Sequence, residues 1–487
     1  MKLITRTISP VLALLLFSAC ATNKIAYRTP PQEDWRNQRP PAGPAVETKL
    51  PLFEQHRLSN GMQVILVKEN KLPIVAIEVL IKAGSSSESA AQAGLAGMLV
   101  DMLTKGTKTL NADEFSESLS DIGTSVSSSC DQDAASLSLG VLAQHTRPAL
   151  GLIADALQNP SLEQEEFERL QRLRLASLEK RKGNPRAVGK DVFYERVYGA
   201  DHPYGHPVSG TLTSVKALKR KHLKKFYQRN YGPATTTVIV TGDIQTENML
   251  GQLEKTLGQW KSKANLPATP PDVEPAEQLT VYVIPRPDAP QSFMMAGRPL
   301  IRKGDPDEYK LKVMNAGFGG LFSSRLNMKL REEKQYTYGA RSSVNPLRGQ
   351  GVLVAGGMIK GEHTVDALQE TFIIMNDISQ NGITPEEMQF AKDALIKPLP
   401  SYFETVGALA SAAGILATYD LPMNQFELVM KQINDVELQH VSQLSKDALN
   451  IQNYTVVLVG DPKWLDEKLK TLSDANVIRL DENGRDL

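Results

Sequence analysis

The sequence predicts an α+β protein built from two homologous domains in tandem, and three observations carry that prediction. The apolar run T-V-I-V-T-G-D, Thr237 to Asp243, is echoed by T-V-V-L-V-G-D, Thr455 to Asp461. Upstream, S-L-E-Q-E-E-F from Ser161 is echoed by G-I-T-P-E-E-M from Gly382. Both echoes fall roughly 220 residues apart, and similarity at a fixed offset marks a structural repeat. In each, a helix opening on paired Glu leads, after more helix, to a buried strand ending in Gly-Asp. A chain of 487 residues is also too long for one ordinary domain, and two domains of roughly 200 residues each are the economical solution.

The elements follow in order. Residues 1–19 form a secretory signal: Lys2 and Arg6 give a basic start, Val11 to Phe17 an apolar stretch, and Ser18 and Ala19 small residues before Cys20. The ending resembles a bacterial lipobox, with Phe17 where Leu is usual, so Cys20 is the expected lipidation site. Ala21 after it, in place of Asp, implies outer-membrane sorting. Residues 20–48 hold Pro30, Pro31, Pro40, Pro41 and Pro44 among polar residues and read as an extended tether from the lipid anchor. The first domain is expected over residues 49–262. Apolar and polar residues alternate from Phe53 to Lys82 around Asn60-Gly61, a hairpin signal. Helical spacing follows at 92–105 and 111–122, strands at 124–129 and 133–142, and helices at 145–158, 163–182, 219–229 and 246–260. Residues 263–278 are a Pro-rich linker, and the second domain is expected over 279–475.

Composition excludes several functions. With 55 basic against 55 acidic residues, nothing favours nucleic acid or an anionic membrane surface; the membrane is reached through the lipid anchor alone. Cys130 is the one cysteine besides Cys20. It therefore makes no internal disulfide, and without a nearby His it reads as a buried structural thiol.

Residues 94 to 107 read G-L-A-G-M-L-V-D-M-L-T-K-G-T. The stretch resembles the metal-binding helix of the insulinase/pitrilysin (inverzincin) peptidases, and the resemblance covers nearly all of residues 50 to 475. It implies tandem α/β-sandwich domains of the insulinase-like metallohydrolase type. The family's inverted zinc motif H-x-x-E-H is degenerate, with Gly97, Val100 and Asp101 in its place. Ser177 stands where the family has its third ligand. Two His at i and i+4 share a helix face and can hold one metal, and the Glu between them activates its water. Gly97 and Val100 offer neither ligand nor base. His202 and His206 have the same spacing, but Pro203 and Gly205 interrupt any helix, so the pair reads as loop histidines. No metal ligand and no catalytic residue is expected in this chain.

Residues 317 to 339, G-F-G-G-L-F-S-S-R-L-N-M-K-L-R-E-E-K-Q-Y-T-Y-G, resemble the family's glycine-rich stretch, helix and Tyr-bearing strand. The resemblance implies that Arg331 and Tyr338, with Gly319 and Gly320, bind substrate across a chamber from a zinc site. In that role the Arg donates to peptide carbonyls and the Tyr to a developing oxyanion. Taken alone, an Arg beside Glu332 and Glu333 is a solvated ion pair, and the glycines also suit a packed turn. In bacteria the family often occurs as two chains, as do the mitochondrial processing peptidase subunits. The expectation is a non-catalytic subunit in the cell envelope, facing the periplasm, that binds extended peptide beside an H-x-x-E-H-bearing partner holding the zinc. The alternative is a proteolytically inert binding or scaffold lipoprotein with the same fold.

Overall fold

The turn at Asn60-Gly61 forms as its sequence dictates: Gly61 takes a φ of +86°, which glycine adopts without penalty, and the Leu58 N–H donates to the Met62 carbonyl at 2.9 Å. It joins β1 (Glu54–Arg57) to β2 (Gln63–Lys68) as an antiparallel hairpin. The structure is a computed structural model that describes residues 50–487. The signal segment, Cys20 and the tether lie outside the described residues.

β3 (Ile74–Ile81), β4 (Ser127–Cys130), β5 (Ala135–Leu142) and β6 (Thr236–Gly242) complete a sheet of order β1-β2-β6-β3-β5-β4. β6 is buried along its whole length at the centre, which is why its sequence is an unbroken apolar and Thr run. The second half supplies β7 (Thr280–Pro285), β8 (Gln291–Pro299), β9 (Thr337–Asn345), β10 (Val352–Lys360), β11 (Thr455–Gly460) and β12 (Asn476–Arg479). Their order, β12-β7-β11-β8-β10-β9, reproduces the first sheet place by place. The repeat is closed differently at one edge: β1 runs antiparallel to β2, whereas β12 runs parallel to β7. The second half therefore continues past residue 475.

Strand periodicity sends alternate side chains to opposite faces. In the first sheet Val64, Leu66, Ile77, Val79, Leu137 and Val240 enter a core shared with helices of the same half, including Leu95–Leu103, Thr146–Gln158 and Gln164–Lys182. Ile65, Val67, Ala76, Leu80 and Ile239 face the other way, onto Leu409, Ala413 and Leu416 of the helix Val406–Thr418. Reciprocally, Val192, Phe193 and Val197 of the helix Pro185–Tyr198 cover Ile284, Phe293, Val457 and Val459 of the second sheet. These two helices lie roughly 220 residues apart, so each repeat lends the same element to the other. Neither was assigned from the sequence.

Buried polar contacts fix the junction. Asp133, 1% exposed, accepts from the Tyr204 hydroxyl at 2.7 Å and the Arg348 backbone N–H at 2.8 Å. Residues 263–278 carry no helix or strand and are pinned at both halves, by His202 Nε2 against the Pro271 carbonyl at 3.1 Å and by Arg302 on Asp272 at 2.8 Å.

Candidate functional site

The helix Leu95–Leu103 starts at Gly94, whose φ of +94° requires glycine, and its first N–H groups are met by a buried carboxyl. Glu88 accepts from the Gly94 and Ala96 N–H groups at 2.7 and 2.6 Å. Burial pushes its carboxyl up to about 8, with those N–H groups pulling the other way.

Gly97, Val100 and Asp101 lie on this helix, and both carboxylate oxygens of Asp101 have partners. Its Oδ2 accepts from Arg174 Nη2 at 2.9 Å and its Oδ1 from Ser128 Oγ at 2.7 Å. A Cβ placed on Gly97 would sit 3.7 Å from Arg174 Nη2 and 3.8 Å from Nη1. The guanidinium thus covers the space a ligand side chain at position 97 would enter. Arg174 comes from the helix Gln164–Lys182, one turn before Ser177, so the two share a face. That spacing was the readable sign of Arg174, which the sequence reading passed over.

A zinc ion does not fit these residues. Position 97 has no side chain, Val100 has no base, each oxygen of Asp101 already accepts a hydrogen bond, and a resident cation stands beside it. Among the described residues no three His, Cys, Asp or Glu side chains are grouped to hold a metal.

A cavity of about 540 Å³ opens here, lined among others by Cys130, Arg174, Ser177, Arg181, Tyr194 and His206. Cys130 is half-buried at its wall, less enclosed than a core thiol, and burial beside Glu88 pushes the thiol far up, leaving it a poor nucleophile. His202 and His206 part company: His202 stacks on Tyr198 at 4.9 Å, whereas the His206 ring faces the cavity. No helix spans them.

In the second half, the segment singled out from the sequence is irregular. Ala316–Gly320 and Met328–Glu333 are both π-helical turns, rare geometry that collects at functional sites. Arg331 lies in the second turn, its guanidinium 4.6 Å above the Phe322 ring and its Nε 3.2 Å from Glu332. Tyr338 and Gly339 together face Met358 across a β-bulge, because the β9–β10 register slips between Thr337 and Ala340. The bulge is held by Thr337 Oγ1, which donates to the Met358 carbonyl at 2.6 Å. The result is a Tyr side chain 88% exposed on the sheet's edge strand. Gly319 is buried, and a Cβ there would strike Ser342; one on Gly320 would meet Asn315 Nδ2 at 2.8 Å. Their close approach is to β9 and the preceding helix.

Comparison with known proteins gives a consistent picture. Residues 63–211 match the family described as Insulinase (Peptidase family M16), and residues 217–395 match Peptidase M16 inactive domain. The uncharacterized zinc protease YmxG of Bacillus subtilis is 24% identical over 411 residues, covering 84% of this chain and 98% of its own. The non-peptidase homolog YmxG of Helicobacter pylori is 23% identical over 408 residues, covering 82% and 92%. Among solved structures, the peptidase M16 inactive domain from Pseudomonas fluorescens aligns with a TM-score of 0.75 at 23% identity, over 84% of this chain and 98% of that one. A protease from Helicobacter pylori aligns with a TM-score of 0.78 at 21% identity, over 84% and 100%. The structural likeness is one of fold.

Proposed function

The chain belongs to the insulinase family, peptidase family M16, and from that premise we propose that it is the non-catalytic, substrate-binding subunit of a heterodimeric zinc protease. The observation that carries this reading is an asymmetry. The metal half is closed by the Arg174–Asp101 pair, while Arg331 lies half-exposed in a π-helical turn and Tyr338 stands out from a β-bulge. A packing role for Tyr338 is disfavoured by its 88% exposure.

In the proposed complex an H-x-x-E-H-bearing partner holds the zinc and cuts. Arg331 donates to carbonyls of an extended peptide, and the Tyr338 hydroxyl donates to the oxyanion forming at the partner's metal. The signal ending at Cys20 and the tether after it support a lipid-anchored protein facing the periplasm, on the outer membrane.

The test is co-expression with an H-x-x-E-H homologue. Alone, the chain is expected to hold no zinc and cleave no peptide; paired, it is expected to raise the partner's turnover. Tyr338→Phe should lower that turnover by on the order of a hundredfold, the cost of one oxyanion donor, and Arg331→Ala should mainly raise KM. If both variants leave turnover and KM unchanged, the composite site is wrong and the inert scaffold stands.

A further inference from the structure

The cavity at the emptied metal centre has a surplus of hydrogen-bond donors. A guanidinium carries five N–H groups, and Arg174 commits one of them, to Asp101. Arg181 donates to Ser209 Oγ at 3.0 Å and to Asp191 at 2.7 Å. Ser177 and Tyr194 add hydroxyls, and Lys190 adds an exposed ammonium. The clearest sign is His206. Its side chain is 6% exposed and lines the cavity, and among the described residues neither ring nitrogen makes a well-formed hydrogen bond, the backbone of Glu88 and Pro207 lying near the ring without closing one. A buried polar group without a well-formed hydrogen bond is costly, and a ligand that accepts from the ring N–H would relieve part of that cost.

Charge gives the sign and size of that acceptor. Of the charged residues that line the cavity, Arg174, Arg181 and Lys190 are positive and Asp191 negative, and Arg174 is paired to Asp101 behind the wall, which leaves one positive charge in excess within the lining; Asp131 and Glu195 lie outside it. Glu88 lies 3.9 Å from His206, and its carboxyl, pushed up to about 8, stays protonated near neutral pH. His206 is held neutral by burial and so offers one N–H. A single excess charge suits a monoanion better than a phosphate dianion, which Asp101 and Asp191 would repel. The guanidinium fork matches the two oxygens of a carboxylate. At about 540 Å³ the space is several times that of a carboxylate alone, and Leu178, Pro207 and Val208 give it apolar wall.

We propose that the cavity beside the vacated metal centre is a carboxylate-binding pocket that receives the acidic group of a peptide through Arg174, His206 and Lys190. The carboxylate is either a peptide's C-terminal group or an Asp or Glu side chain. The inference concerns the first half of the chain, and it stands or falls independently of whether Arg331 and Tyr338 serve a partner.

The experiment uses the full chain without partner. Three versions of one hexapeptide are titrated by calorimetry: a free C-terminal acid without acidic residues, its C-terminal amide, and the amide with one internal Glu. Binding of either acid at least about tenfold tighter than the neutral amide, as expected for a charged hydrogen-bonded pair, supports the pocket, and which acid binds identifies the source. The His206 ring resonance, assigned with His206→Gln, should shift on saturation. Lys190→Gln alters an exposed residue and keeps the fold; it and His206→Gln should each weaken the acid severalfold and leave the amide unchanged. Equal binding of all three peptides overturns the proposal. So does wild-type affinity in both variants, or displacement of the acid peptide by inorganic phosphate more readily than by acetate.

Discussion

Arg174 decides what the emptied site can become. Its guanidinium lies within 4 Å of where a side chain at position 97 would start, and like unit charges at that distance repel by about 4 kcal/mol at an effective dielectric of 20. Grafting the family's ligands by Gly97→His, Val100→Glu, Asp101→His and Ser177→Glu is therefore expected to fail as a zinc site while Arg174 remains. Adding Arg174→Leu should raise zinc affinity by on the order of a thousandfold, read by competition with a chelating dye. Equal affinity with and without Arg174 would show that the guanidinium swings clear. At this scale the sequence revealed the loss, since Gly97 and Val100 cannot ligate anything. It did not reveal the replacement. The spacing in R-L-R-L-A-S-L sets Arg174 on the face of Ser177, but only the packed helices bring its guanidinium to Asp101 and over Gly97. His206 was hidden for the same reason: a loop side chain is buried by elements distant in sequence.

The elements that hold the halves together were the least legible, because what covers them is non-local. The helix Pro185–Tyr198 carries apolar residues for a sheet whose nearest strand begins at Thr280, and no local pattern names that sheet. The tightest point of its crossing is Gly189, where a Cβ would strike the Phe293 ring and lie 3.0 Å from Val459 Cγ2. Gly189→Ala gains roughly 1 kcal/mol of helix propensity and incurs about 1–3 kcal/mol of overpacking, so it is expected to lower stability in urea unfolding. A stabilised variant would mean that the crossing has slack. The matching helix, Val406–Thr418, passes over Glu78 with Gly414 at the contact. Burial pushes the Glu78 carboxyl from 4.5 up to about 7. The folded state therefore binds a proton that the unfolded state releases between those values, and stability falls as pH rises from 4.5 to about 7. Glu78→Gln should stabilise by about 2–3 kcal/mol at pH 8 and by far less at pH 5. A gain of equal size at both pH values would exclude ionisation as its source. The irregular elements were legible only as residues. Nothing in Q-Y-T-Y-G shows that one extra residue between Thr337 and Ala340 bulges the strand and turns Tyr338 outward.

In the whole molecule, the internal repeat could be read because β6 and β11 are central strands, buried on both faces and restricted to nearly the same residues. The exchange of helices could not, and it changes what a domain means here. Each sheet buries one face with its own helices and the other with a helix from the opposite half. Residues 50–264 alone would expose Ile65, Val67, Leu80 and Ile239, while presenting Phe193 and Val197 to water. At about 1.5–3 kcal/mol per large apolar side chain left unburied, that loss is comparable with the whole stability of an ordinary domain. Each fragment, 50–264 or 265–487, is therefore expected to aggregate or bind a hydrophobic dye when expressed alone. Co-expressed, the two should elute as one complex on size exclusion, and the intact chain should unfold in a single calorimetric transition. Two well-separated transitions, or a soluble folded 50–264 fragment, would show that the crossing helices decorate two self-sufficient domains. A single transition would instead mean that the closed metal half and the half that carries Arg331 and Tyr338 fold as one cooperative unit. Under the proposed function, such coupling would hold the edge that carries Arg331 and Tyr338 in place for a partner.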